Sequence, residues 1–372
     1  MAIDKKFVEE CWAKLDEKLS RTAVSSYDKI PYTTVDGVHD DKKAYETIDH
    51  WTNGFWPALM TLMYAGTKKE QYLKTGRNAM SYMDQGLMKW SGLHHDVGFM
   101  WNISSGMDYR ITGDETQRNR FLLAANHLMG RFNKDAGFIR AWQHEAHIGW
   151  AIIDCMMNIP ILYRASEDIG DKRFAMVADA HAEKTATYHV REDGSCNHIN
   201  EYDPLTGEFV QTFGGQGYQL GSSWTRGQAW GLYGFALAYK HTKNEKYLNI
   251  AKRIAHYFMA CAARTNWLTP CDFRQPEGEE LYDTTAGACA ACGLLEIADS
   301  VPELEQSLYR DGAMNLLKAL EKECDWTDKE DSIMQRGTEA YAFGHHKPII
   351  YGDYFFAEAI YRLMGFDSSI LW

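Results

Sequence analysis

Trp150-Ala151-Ile152-Ile153-Asp154-Cys155-Met156-Met157-Asn158-Ile159-Pro160 sets one carboxylate inside an apolar run with helical spacing. A charge there is costly to desolvate unless it is paired or protonated. Two chemistries fit: a structural acceptor satisfied by nearby donors, or a carboxyl kept neutral so that it can give up a proton. The stretch alone leans to the first, because satisfied buried carboxylates outnumber catalytic ones. A second candidate is Asp96, in His94-His95-Asp96 at the start of another apolar run. Asp96 reads either as an N-cap or as a carboxylate that the helix N-terminus also keeps ionised. The paired histidines suggest a metal, but sequence neighbours are expected to point in different directions and no His-x-x-x-His or Cys/His cluster accompanies them. No metal is therefore expected.

Arg226 opens a small, aromatic helix in Ser222-Ser223-Trp224-Thr225-Arg226-Gly227-Gln228-Ala229-Trp230. Paired with a carboxylate it would be structural, and left unpaired in a mouth it would bind an anionic substrate. Gly214-Gly215-Gln216-Gly217 lacks both the Gly-Lys-Ser/Thr ending and the preceding strand of a phosphate loop, and so reads as a flexible wall. His198 and Gln216 are the polar groups on that wall, where either could simply cap a turn.

These residues need elements to position them. Residues 4–20 place Phe7, Val8, Cys11, Leu15 and Leu19 on one face, which predicts a helix. A polar segment, 21–48, leads to an apolar helix from Leu59 to Ala65 stopped by Gly66. The grammar repeats five more times: 69–88 with a buried helix ending near Gly113, 114–132 with a buried helix containing Asp154, 171–189 with the helix after Ser222, 244–263 with the helix after Asp283, and 303–323 with the helix after Tyr351. A unit that cannot bury its apolar face alone must stack on its neighbours. Six such units predict an all-α (α/α)6 toroid with six inner and six outer helices, in one domain spanning 1–372. The loops entering the inner helices open at one end and hold nearly all the candidate residues.

A 45% apolar fraction suits a substantial core, and a formal charge of −12 argues against nucleic acid or an anionic membrane as partner. Twelve Trp, 21 Tyr and 16 Phe exceed what packing usually asks, and rings beside polar groups commonly line sugar clefts. No secretory leader or membrane span is evident at the N-terminus or beyond it, and eight scattered cysteines read as reduced thiols, so a cytoplasmic protein is expected. Cys289-Ala-Ala-Cys292 has redox-like spacing without a second pair or a βαβ context, and reads as two small residues on a packed helix face.

In several segments the chain resembles the unsaturated glucuronyl hydrolases of glycoside hydrolase family 88. They are Asp49-His50-Trp51-Thr52-Asn53-Gly54-Phe55-Trp56, His94-His95-Asp96-Val97-Gly98-Phe99, Ile152 to Pro160, Ser223 to Gly231, and Ala291-Cys292-Gly293-Leu294-Leu295-Glu296-Ile297-Ala298. The resemblance implies the same toroid. It also implies release of a 4,5-unsaturated uronic acid from lyase-generated oligosaccharides of glycosaminoglycan type, by protonation at C4 and addition of water at C5, with no cofactor. By position, Asp154 matches the general acid/base and Asp96 the second carboxylate. His95, His198, Gln216, Arg226, Trp230 and Lys347 match positions that hold the sugar, with Trp51 and Trp142 as aromatic walls. Arg226 is the expected partner of the uronate carboxylate on charge grounds. Members that accept sulfated sugars carry hydroxyl residues and a lysine before the last inner helix. Ala342-Phe343-Gly344-His345-His346-Lys347 keeps only the lysine, which suggests a preference for unsulfated units. The related unsaturated rhamnogalacturonyl hydrolases, a toroid epimerase and a non-catalytic saccharide-binding protein are the alternatives. Replacing Asp154 by Asn separates catalysis from binding.

Overall fold

The computed structural model describes residues 4–372, so the first three residues of the N-terminus, on which part of the expectation of no secretory leader rests, lie outside the described residues. The outer helices are Lys5–Ser25, Glu70–Lys89, Glu115–Met129, Lys172–Tyr188, Glu245–Ala263 and Glu303–Glu321. Each is followed by an inner element: Phe55–Thr67, the run Val97–Trp101, Asn102–Gly106 and Met107–Thr112, then Pro160–Ile169, Thr225–Thr242, Thr284–Ser300 and Ile350–Leu363. Every inner element packs on the next, and the sixth returns to the first, which closes the ring expected of an (α/α)6 toroid. The inner helices are apolar nearly all round, as buried helices must be. From Thr284 to Ala298, for example, every residue of the fifth is buried.

One cluster of buried side chains runs through all six pairs, from Val8 to Trp372. Trp372 is fully buried, its ring stacked parallel to Phe355 and its indole N–H donated to Glu358 Oε2 at 2.9 Å. Cys289 and Cys292 lie inside this core, where burial pushes both thiols well above their ordinary value, and Cys292 Sγ donates to the Phe355 carbonyl at 3.1 Å. They are packing residues. Among the described residues no helix is long and apolar enough to cross a membrane.

Three expectations need correction. The first helix continues five residues past Ser20, with Asp4 accepting from Phe7 N–H at its start. The first inner helix passes through Gly66 and ends where Lys68 turns left-handed at φ 58°. Asp154 is not on an α-helix. Trp150–Ile152 is drawn into a three-stranded sheet with Ile199–Tyr202 and Phe209–Phe213, and Asp154 follows on a 3-10 turn, Ile153–Met157. Pro160, which cannot donate a backbone hydrogen bond, then opens the α-helix at its first turn.

That 3-10 turn lies close against the fourth inner helix. A Cβ at Gly234 would fall 2.5 Å from Met156 Cβ and 2.7 Å from the Met156 carbonyl. The partner atoms include backbone, so they cannot rotate away. Gly234→Ala should cost about 1–3 kcal/mol in urea unfolding, the usual penalty for overpacking; an unchanged midpoint would show that the turn yields freely.

Candidate active site

Two inner elements bring the site together. Asp96 occupies the residue before Val97–Trp101, yet among the described residues its side chain accepts no capping bond from that helix. Its Oδ1 accepts instead from Asn158 Nδ2 at 2.8 Å and lies 3.1 Å from His95 Nε2, while Oδ2 is 3.4 Å from His94 Nδ1. Burial pushes Asp96 up, but the charge and hydrogen bond of His95, with His94 and Asn158, outweigh it and hold the carboxyl below its ordinary value. The carboxylate is thus kept ionised by side chains, not by the helix end.

The two histidines do not point apart as expected. Their rings lie 5.0 Å from one another, and ligand atoms of His94, His95 and Asp96 all fall within 4.8 Å, so this is the group among the described residues that could hold a metal ion. The neighbours nevertheless give the pair separate duties. His95 Nδ1 donates to the Ala141 carbonyl at 2.9 Å, which turns Nε2 to Asp96. Burial pushes His95 down, but Asp96, Asp154 and the Ala141 carbonyl more than offset it, and the imidazole is raised. His94, with fewer such partners, is driven by burial to about 4.

Asp154 faces the same space. Asn158 Nδ2, which binds Asp96, also reaches the Asp154 carbonyl at 3.2 Å. Opposite the Asp154 carboxylate, His198 Nε2 stands 3.5 Å from Oδ1. The tautomer of His198 follows from its other nitrogen: Gln216 N–H donates to Nδ1 at 2.9 Å, so the ring proton sits on Nε2, toward Asp154. Gly215 makes this approach possible, since at φ +59° a Cβ would lie 2.0 Å from Nδ1. Asp154 Oδ1 has no hydrogen-bond partner among the described residues, and its side chain is 13% exposed. The expected apolar wall is only half right: Ile153, Cys155 and Met156 are buried, but the carboxylate meets an imidazole.

The remaining expected residues divide. Trp51, Gln216 and Arg226 line a cavity of about 220 Å3 with Tyr32, Glu339 and Phe343. Trp51 leans on Tyr351 at 5.1 Å, and Trp142 sets its edge against His95 at 5.7 Å. Arg226 is corrected. Its Nη1 donates to Asp283 and to the Thr338 carbonyl and its Nη2 to the Glu339 carbonyl, both carbonyls at 2.6 Å, and the guanidinium is sandwiched over Trp224 and Tyr351. It shapes the cavity by holding that loop and is not a free anchor for a carboxylate. Trp230 is corrected as well: it has no exposure and packs on Phe99 and Phe355, behind the lining. Lys347 Nζ is paired with Glu339 Oε1 at 3.1 Å.

Sequence reasoning gave no role to Asn158, Asp283 and Glu339. Asn158 stands four residues after Asp154, a helical spacing that could have flagged it. Asp283 and Glu339 meet Arg226 only across 57 and 113 residues of chain, which no local pattern records.

No family model matches the chain. It is 36% identical over 352 residues to the unsaturated glucuronyl hydrolase of Bacillus sp. (strain GL1), across 90% of this chain and 91% of that one. The chain belongs to the unsaturated glucuronyl hydrolase family. A second family relative, the unsaturated chondroitin disaccharide hydrolase of Streptococcus pneumoniae (strain ATCC BAA-255 / R6), is 30% identical across 87% of this chain and 83% of its own length. The crystal structure of the Bacillus sp. GL1 unsaturated glucuronyl hydrolase superposes with a TM-score of 0.88 at 34% identity, covering 95% and 96% of the two chains. In this family member Asn158 ties the Asp96 carboxylate to the backbone carbonyl of Asp154.

The His95 shift has a testable sign. A histidine raised by folding adds stability that is complete below about pH 6.5 and is lost as pH climbs through its folded value. The difference in urea-unfolding free energy between wild type and His95→Gln should therefore shrink from about pH 6 to about pH 9; a gap that widens would contradict the Asp96–His95 pairing.

Proposed function

We propose that this unsaturated glucuronyl hydrolase removes the 4,5-unsaturated uronic acid from the non-reducing end of lyase-generated glycosaminoglycan oligosaccharides by hydrating the C4=C5 bond. The observation that carries the reading is the shared site of Asp154 and Asp96. Asp154 offers an unpartnered carboxyl oxygen beside His198, while Asp96 is clamped by His95 and Asn158.

In this reading Asp154, in its acid form, gives its proton to C4, and positive charge develops at C5 and the ring oxygen. The ionised Asp96 stabilises that charge electrostatically. Asp154, now a carboxylate, takes a proton from the water that adds at C5. The hemiketal so formed opens and expels the remaining saccharide. His198 keeps a proton-bearing nitrogen turned to Asp154, and Trp51 and Trp142 supply flat walls for the sugar. The substrate carboxylate is then held by donors other than the paired Nη groups of Arg226; Gln216, on the same wall, already gives its backbone N–H to His198 and its Nε2 to the Glu339 carbonyl at 2.6 Å.

The loop before the last inner helix favours unsulfated sugars. Lys347, the one residue of the sulfate-type set that is kept, is neutralised by Glu339. The eight cysteines are all free, which fits work in the cytoplasm.

Two measurements test this. Asp154→Asn keeps shape and volume but removes the proton donor, so turnover of an unsaturated chondroitin disaccharide, followed by loss of the ultraviolet absorbance of its double bond, should fall about 100-fold or more while binding persists. Retained turnover would exclude Asp154 as the acid. Unsulfated disaccharide should also be hydrolysed with a higher kcat/KM than its 6-sulfated counterpart, and the reverse order would overturn the reading of Lys347.

A further inference from the structure

A separate cleft of about 290 Å3 lies between the third outer helix and the loop that follows it, lined by Trp90, Asn126, His127, Arg131, Arg140 and Gln143. In a chain of net charge −12 its two arginines are unusual. Arg118 and Arg120, on that same outer helix, are paired with Asp168 and Asp84. Arg131 and Arg140 have no carboxylate within ion-pair distance among the described residues. They bond only to main-chain carbonyls: Arg131 to those of Arg140 and Ala141, Arg140 to those of Gln143 and His144. Arg140 Nε is buried without a hydrogen-bond partner among the described residues. Burial, then the charge of Arg140, presses Arg131 down to about 10.

Beside them stands Trp90. It is 64% exposed and held at φ 42°, a left-handed conformation that a bulky side chain seldom adopts. Strain of this kind persists where the surroundings fix a side chain for use. Its only ring neighbour among the described residues is the edge of His127, at 6.2 Å, so the indole face is open. An open indole face beside two guanidinium groups that no carboxylate neutralises, with amides of Asn126 and Gln143 alongside, provides stacking for a pyranose and positive charge for an anion.

We infer that this cleft is a second saccharide site, one that takes a sugar residue carrying a carboxylate or a sulfate ester, with the sugar face on Trp90 and the anion on Arg131 and Arg140. The choice of a saccharide as ligand rests on the proposed activity, while the anion and stacking chemistry stand on the cleft itself. The site adjoins the catalytic loop. Arg131 Nη2 shares the Ala141 carbonyl with His95, and Gln143 Nε2 donates to the carbonyl of Leu93 at 3.0 Å. A chain longer than a disaccharide would thus gain a hold on the enzyme beyond the reacting unit.

Isothermal titration with chondroitin tetrasaccharides whose non-reducing end is saturated, one unsulfated and one 6-sulfated, tests the inference on the full chain. Wild type should bind, and Trp90→Ala and Arg140→Gln should each weaken binding on the order of tenfold, the scale of one lost stacking or charged contact. Trp90→Ala should hydrolyse unsaturated disaccharide like wild type, and the exposure of Trp90 makes misfolding no refuge. Preference for the sulfated probe names the sulfate ester as the anion, and equal affinity names the uronate. Affinity for both probes within about twofold of wild type in both variants, or no binding by wild type, would overturn the site. Hydrolysis of the disaccharide by wild type in the same preparation then tells this failure apart from a failure of the proposed activity.

Discussion

One side-chain amide holds the chemistry together. Asn158 receives Phe99 N–H on its Oδ1 at 2.8 Å and spends its Nδ2 on Asp96 and on the Asp154 backbone. It therefore joins the start of the second inner helix to the turn that carries the candidate acid. The contact is tight by necessity: a Cβ on Gly98 would lie 2.6 Å from Asn158 Cα. Buried polar groups of this kind are costly when half satisfied and rigid when complete. Here all the polar atoms of the amide group are used, and the Asp96 carboxylate is tied to the backbone of the turn that carries Asp154 through a single side chain.

The ring of helices supplies the frame that makes such a short tie useful. Each inner element contacts its neighbours on both sides, so a displacement at the mouth must be transmitted around a closed circuit of packed side chains. Buried charge appears at both ends, but with different company. Away from the site, Arg362 answers Glu296 and Glu358. At the mouth, Arg226 answers Asp283 and two carbonyls, and Asp96 answers His95. A buried pair of this sort is strongly destabilised by loss of one member, which costs about 3–5 kcal/mol. Arg226 is thereby tied to architecture, and its charge is spent before any substrate arrives.

The order of the twelve helices was legible because each has its own apolar period, and period is local. Asp96 and Asp154 were legible as carboxylates misplaced in apolar runs. The conformation around Asp154 was not, because Trp150–Ile152 reads as helix by composition and becomes strand only by pairing with residues some fifty positions away. The same limit hid the partners of Arg226 and Lys347. Charge on a side chain is written in the sequence, but whether that charge is already answered is decided by the fold. The two histidines after Leu93 show the point in miniature: adjacent and identical in type, they are driven in opposite directions by what each touches.

Several of the groups that orient the site belong to the main chain. The proton position on His198 is dictated by the peptide N–H of Gln216, and the direction of His95 by the peptide carbonyl of Ala141. An alanine scan would pass over both, because a peptide group survives every exchange of its side chain. Gly215 is the exception. Any larger residue there would collide with the imidazole, so a spot with no functional group of its own becomes the place where genetic variation can reach the proton wiring of the site.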